Sequence, residues 1–297
     1  TEQQALLEWE TFNVGKNTTV NFDQKKGGEN AGQWIAFNKV NDPSANPTQI
    51  LGDIKADGQV YLINPNGVIF GGSSQVNARG LTVSSLPINT NLVGRGLLNN
   101  PDAQFLFSGL DIPAGVNGTP AFTPEKPLDP SGKYGDVIVE KGAILQSPTN
   151  SAKVGGRITL VGPNVINNGS ILTPDGQTIL AAGLQVGFAA HSAADPSLRG
   201  LDTIVGQVDS AGVAPYAGTV TQNGIIESAR GNITLTGKTI FQKGALESST
   251  SVSLNGRIDL NASYNAIRNP DNTALGTIPF LYQKSGLVEL GENSLMR

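Results

Sequence analysis

The sequence contains no cysteine, one histidine and one methionine. Without cysteine there is no disulfide framework and no thiolate-held zinc or iron–sulfur centre, although export stays open to such a chain. Charged residues make up only 15% and aromatics 6%. A net charge of −4 over 297 residues supplies no basic field, so nucleic acid and anionic membranes are excluded as partners. No apolar run approaches the roughly 18 residues of a membrane span. Thr1 to Glu10 lacks the basic-then-apolar order of a signal peptide, so either the protein is cytosolic or its signal has been removed. The abrupt ends read as those of a fragment.

Catalytic patterns are missing as well. β-Helical glycosidases want two facing carboxylates, and lyases want a basic residue beside a calcium-binding acid cluster. Here Asp136, Glu140, Asp175, Asp195, Asp202, Asp209, Glu227, Glu247 and Asp259 are scattered singly. His191 has no partner signature and reads as a loop histidine. No cofactor is expected, and an enzyme is the least favoured class.

What is abundant is glycine, 37 residues against an average near 7%. Gly and Asn bound short alternating segments: Gly156-Arg157-Ile158-Thr159-Leu160, Gly231-Asn232-Ile233-Thr234-Leu235 and Gly256-Arg257-Ile258-Asp259-Leu260. Their apolar residues share one face, as period-two strands require. A second phrase alternates with the first: Asn167-Asn168-Gly169-Ser170-Ile171, Gln222-Asn223-Gly224-Ile225-Ile226 and Gln242-Lys243-Gly244-Ala245-Leu246. Like phrases return after about 20 to 25 residues, the period of a solenoid. A single coil buries no core until the next stacks on it, so the expected fold is all-β, a right-handed single-stranded parallel β-helix. Leu62, Ile158, Leu160, Ile233, Leu235, Ile258 and Leu260 are expected inside, with Arg157, Asn232, Thr234, Arg257 and Asp259 facing out. On that register Leu235→Ala costs about 2 to 5 kcal/mol and Thr234→Ala well under about 1. Repeated turn asparagines are expected to form hydrogen-bonded ladders.

Two stretches break the rhythm. Residues 86–135 carry Pro87, Pro101, Pro113, Pro120, Pro124, Pro127 and Pro130 with Phe105 and Phe107, and residues 186–218 hold His191. Both are expected as extra-helical hairpins or loops on the solenoid flank. Residues 1–37 contain Trp9, Trp34, Phe12, Phe22 and Phe37 and are expected to form an N-terminal β cap over the exposed end. The remaining coils fall at 38–85, 136–185 and 219–297, all in one domain.

The most informative passage runs from Gln49 through Gly58-Gln59-Val60-Tyr61-Leu62-Ile63-Asn64-Pro65-Asn66-Gly67-Val68 to Gly71. It resembles the filamentous haemagglutinin-type secretion domain of two-partner secretion exoproteins, whose hallmark is an Asn-Pro-Asn-Gly-Ile/Val turn after a Gly-Gln-Val-aromatic-Leu strand. Leu7-Glu8-Trp9-Glu10-Thr11-Phe12-Asn13-Val14-Gly15, Val20-Asn21-Phe22 and Phe37-Asn38-Lys39-Val40 follow the family's order and spacing. The match covers residues 5–86; later coils agree in style. The family's earliest strands and signal peptide are missing, as is the Asn-Pro-Asn-Leu hallmark of some members, for which Asn99-Asn100-Pro101-Asp102 is no stand-in.

The resemblance implies a Gram-negative protein secreted to the cell surface. Its unfolded secretion domain would engage periplasmic POTRA modules of an outer-membrane pore, emerge first and nucleate the β-helix, acting as a monomer. The adhesin, toxin or haem-binding passenger would lie beyond Arg297. The partner-reading motif would be Asn64, Pro65, Asn66, Gly67 and Val68, with Asn38, Lys39 and Val40 as the upstream motif. Asn64-Pro65-Asn66-Gly67 is also a good tight turn in any β protein, so a purely structural role stays open. On the turn-only reading, Asn66→Asp is expected to be nearly silent. A carbohydrate- or receptor-binding adhesin surface is the alternative function, with host glycans or receptors as its partners.

Overall fold

The computed structural model describes residues 3–150, 154–190, 200–251, 255–271 and 279–297. The first strands are β1 (Gln4–Trp9), β2 (Thr19–Phe22), β3 (Ile35–Val40), β4 (Thr48–Ile50), β5 (Asp53–Ile63), β6 (Val68–Phe70) and β7 (Gln75–Ser84). They set up a parallel β-helix with three faces. Face I stacks Ile144–Gln146, Ser170–Leu172, Ile225–Glu227, Ala245–Glu247 and Leu295–Met296 on the start of β7. Face II stacks β1, β3, β5 and the end of β7 with Arg157–Gly162, Gln177–Ala182, Asn232–Thr236 and Arg257–Asn261. Face III holds β4, β6, Val137–Val139, Asn164–Asn167, Thr219–Gln222, Thr239–Gln242 and Leu287–Leu290. β7 bends between faces, since Gln75–Asn77 pair with Ile144–Gln146 while Gly80–Ser84 pair with Arg157–Val161.

Register explains the repeat. Val60 stacks on Leu81, Ile158 on Thr178 and Ile233 on Ile258, each one coil apart. Longer steps, Leu81 to Ile158 and Thr178 to Ile233, are coils interrupted by an excursion. The three long interruptions leave between faces II and III, whereas a shorter 3-10 segment, Lys25–Gln33, lies between faces I and II in the first coil. The first carries a short helix, α1 (Thr90–Arg95), whose N-cap Asn89 accepts from the Asn91 N–H at 3.2 Å. The second is an antiparallel hairpin, Gln185–Ala190 against Leu201–Val205, and its first strand also pairs with Phe107–Ser108 of the first excursion. The structure adds a third in the segment assigned to plain coils: Ser263–Tyr264 pairs with Lys284–Ser285, and Ile267–Arg268 with Phe280–Leu281. His191 and Asp195 lie outside the described residues.

The core runs up the axis. Leu62, Ile158, Leu160, Ile233 and Leu235 are sealed inside, and Ile258 and Leu260 pack against them in the last coil. Phe12 and Val14 close the N-terminal end, with Val20 and Phe22 packed against the same core. β1 continues face II beside β3 with its residues exposed, and β3 itself spans the boundary drawn at residue 37. The expected polar ladder is present where Asn167 Nδ2 donates to Gln222 Oε1 at 2.7 Å and Asn223 Nδ2 to Asn168 Oδ1 at 2.8 Å.

One expectation needs correction. The residues predicted to face out do point away from the axis, but face II is roofed by the excursions, so Asn232 and Thr234 are only 4% and 6% exposed. The outer sides of Tyr61, Val161, Ile179 and Ala181 form a second core with Leu86, Leu92, Phe107 and Phe188. Strands covered on both sides read as continuous apolar runs, as 179–182 does.

Leu235→Ala should therefore cost about 2 to 5 kcal/mol by opening a cavity in the axial core. Thr234→Ala should cost about 1 kcal/mol rather than a trace, because one N–H of Gln177 Nε2 loses its acceptor (Oγ1, 3.3 Å) under the roof while the other stays on the Leu201 carbonyl at 2.9 Å. Urea midpoints of the two variants against the parent measure both, and equal midpoints would contradict the register.

Candidate functional site

The Asn64-Pro65-Asn66-Gly67 turn joins β5 on face II to β6 on face III, the same corner from which all three excursions depart. The sequence explains the local geometry. The Gly67 N–H donates to the Asn64 carbonyl at 2.9 Å, closing a four-residue turn, and the Asn66 N–H donates to Asn64 Oδ1 at 2.9 Å. Gly67 sits at φ +102°, where an L side chain is strained, and a Cβ there would meet the Asp136 carbonyl oxygen at 2.8 Å.

The turn is clamped between coils. Upstream, Asn64 Nδ2 donates to Thr48 Oγ1 at 3.0 Å, the Thr48 N–H donates to the Gly67 carbonyl at 3.0 Å, and Asn66 Nδ2 donates to the Asp42 carbonyl at 3.2 Å. Downstream, the Gly135 N–H donates to the Pro65 carbonyl at 2.9 Å and the Val68 N–H to the Asp136 carbonyl at 3.1 Å. Asn64, Pro65, Gly67 and Val68 are all buried, and only Asn66 is partly exposed. Asn66 Oδ1 is sealed from solvent with no partner.

The upstream motif lies one coil back and is no more accessible. Asn38 is fully buried on β3; its Nδ2 donates to the carbonyls of Ala36 (3.1 Å) and Tyr61 (3.2 Å), and its Oδ1 accepts from Trp9 Nε1 at 3.0 Å. Val40 points into the axial core, while Lys39 pairs with Glu125 of the first excursion. The two motifs thus share a neighbourhood, β3 to β5, without forming one pocket. Sequence reading missed Asp42, Thr48, Gly135 and Asp136 as the frame of the turn. The signal available was their place at the same corner, one coil before and one coil after.

Burial pushes the Asp136 carboxyl above its ordinary range, although Asn164 Nδ2 donates to it at 2.9 Å and pulls the other way. Among the described residues no three His, Cys, Asp or Glu side chains converge as a metal site, and no helix is long and apolar enough to cross a membrane.

A three-faced parallel solenoid whose marked motif is consumed by internal hydrogen bonds defines a β-helical domain with its distinguishing residues turned inward. The fold is shared with the HMW1 secretion domain of Haemophilus influenzae, with a TM-score of 0.58 at 21% identity over 88% of this chain and 57% of that one. The chain belongs to the TPS secretion domain family, whose model matches residues 1–283. It is thereby a non-enzymatic secretion domain of two-partner exoproteins. Two heme/hemopexin-binding proteins of Haemophilus influenzae are 37% identical to it over 82 and 75 residues, 28% and 25% of this chain. Each match spans 8% of the relative's length.

The geometry overturns the expectation that Asn66→Asp is silent. An aspartate cannot donate to the Asp42 carbonyl and sets a carboxylate against it, so the variant should lose about 1 to 3 kcal/mol at neutral pH. The new carboxyl's folded-state pKa would be raised, so its full contribution is present only below its unfolded value and is lost as pH rises. The deficit in urea midpoint should therefore shrink on acidification. Asp136→Asn keeps an acceptor for Asn164 and removes a carboxylate that burial disfavours, so it should raise the midpoint at neutral pH. A fall in the midpoint at neutral pH would refute that reading.

Proposed function

We propose that this domain is read, while unfolded in the periplasm, by the POTRA modules of an outer-membrane pore, and that it then folds first at the cell surface and nucleates the β-helix of the exoprotein. The carrying observation is that Asn38, Asn64, Pro65, Gly67 and Val68 are buried and their polar groups bonded within the fold. A partner has almost nothing of these motifs to touch once the coils have closed, so recognition by sequence must precede folding. An extended chain can add a strand to a POTRA sheet edge, with side chains supplying selectivity. Such coupled ordering costs several kcal/mol of the gross interaction, which suits a transient contact.

The nucleating role is supported by the closure of the axial core in the N-terminal coils, where Phe12 and Val14 are buried and Val20 and Phe22 pack against the same core. Secretion to the cell surface, a monomeric domain and a passenger beyond Arg297 belong to the same reading. The heme/hemopexin binding of the two relatives is not carried over, since their match covers so little of either protein.

Secretion of Asn64→Ala, Asn66→Ala and Asn66→Asp with a matched pore partner, measured beside the urea midpoints of the purified domains, tests the proposal. At least one variant should lose export well beyond its loss of stability. Export falling strictly in line with stability across all three would leave Asn64-Pro65-Asn66-Gly67 a turn and nothing more.

A further inference from the structure

The outer side of face II carries a column of aligned residues, one from each coil: Gln59, Gly80, Arg157, Gln177, Asn232 and Arg257. Gly80 leaves the column without a side chain beside Arg157, and the gap opens into a cavity of about 280 Å³ also lined by Tyr61, Arg79 and Thr82. A second chamber of about 420 Å³ adjoins it, sharing Gln59, Tyr61, Thr82 and Arg157 and walled by Leu97, Leu106, Phe107 and Phe188.

Arg157 stands where the chambers meet. Its Nε is sealed from solvent without a hydrogen-bond partner, and its guanidinium makes no ion pair among the described residues. The carboxylate lining the first chamber, Asp175, is engaged by Arg230 through Nε–Oδ1 at 2.6 Å and Nη2–Oδ2 at 2.8 Å. Arg79 reaches only the Pro148 carbonyl, at 3.5 Å. Burial pushes both guanidinium groups below their ordinary values, the direction expected of charges held without compensation. Both arginines are partly buried, and two cations lining one cleft with no ion-pair partner among the described residues make it a place where an anion is favoured.

We propose that this cleft binds a carboxylate-bearing sugar, a uronic acid residue, with its carboxylate on Arg157 and Arg79 and its hydroxyls on the surrounding polar groups. Two planar guanidinium forks suit a planar carboxylate better than a point charge would. Gln59 Oε1 has no partner among the described residues and can accept from a hydroxyl, while Thr82 and Tyr61, whose side chains are hydrogen-bonded to each other, keep the remaining capacity of their hydroxyls. The first chamber, just under the roughly 300 Å³ at which ligand pockets begin, suits one ring rather than a chain. The apolar chamber beyond Arg157 is then where a substituent on that ring would lie. This gives the domain a binding function independent of its export role, and it can be tested on folded protein without a pore.

Titration of the ¹⁵N-labelled domain with glucuronate, glucose and inorganic phosphate is the test. Glucuronate should give saturable shifts at Gly80, Gly155 and Gly156 and raise the melting temperature, and glucose should do neither. Arg157→Met should weaken glucuronate about tenfold or more, the loss of a charge-assisted contact, while its urea midpoint stays level or rises. Should Arg157→Met not fold, Arg79→Gln at the rim should still weaken binding severalfold. Absence of saturable shifts with glucuronate, phosphate binding as tightly as glucuronate, or unchanged affinity in a folded variant would each overturn the assignment.

Discussion

Every coil of this protein depends on its neighbours for main-chain hydrogen bonds. A strand within a single coil has no partner in that coil, so its N–H and C=O groups are satisfied only by the strands one coil above and one coil below. An unpaired buried backbone group costs about as much as a lost hydrogen bond, and a row of them would unfold the layer. The parallel register of Leu81, Ile158, Thr178, Ile233 and Ile258 is thus one continuous constraint. Thr178 shows its strength: threonine occupies a slot that isoleucine fills in adjacent coils, and its hydroxyl is satisfied inside the axis by Thr173 at 2.8 Å.

That constraint also decides where the chain can vary. Faces I and III and the corner between them are held by neighbours at nearly constant spacing, so the three long insertions collect at the corner between faces II and III, with the short 3-10 segment Lys25–Gln33 between faces I and II. Three excursions leave there, and the Asn-Pro-Asn-Gly turn is the same corner closed in four residues. Once outside, the excursions must bury their own apolar side chains, and the nearest dry surface is the outer side of face II. Phe107 packs edge-on against Phe188 with ring centroids 6.2 Å apart, and Phe105 lies 5.2 Å from Phe280. Three insertions far apart in sequence thus form one roof.

The axial core was legible because isoleucine and leucine alternate with polar residues in segments such as 157–160 and 232–235, and glycine marks where each begins. The strand Gln177–Ala182 escaped notice because Thr178 breaks the inner pattern and Ile179 and Ala181 blur the outer one. Proline clusters exposed the first excursion; the third has no such cluster and passed as ordinary coil. The roof was illegible, since alternation says which way a side chain points and nothing of what comes to cover it. The Asn64-Pro65-Asn66-Gly67 turn was found by motif and turn chemistry, yet its clamp of Asp42, Thr48 and Asp136 is a product of stacking. Local sequence shows the turn and hides the neighbours.

Stacking and roofing differ in the separation of the residues they join, and this orders folding. An uninterrupted coil meets the next after about 20 to 25 residues, so each added coil closes a short loop at modest entropic cost. The roof instead pairs Phe107 with Val186 and brings Phe105 to Phe280, closures that need most of the solenoid to be present. Coils can therefore form one after another from the capped end, as nearest-neighbour terms favour in repeat proteins, while the roof settles late. Such an order suits a chain that appears progressively from a pore. The earliest coils, 35–84, bury Asn38 and Asn64 at the start of the sequence, so any partner that reads them must let go before the first layers close.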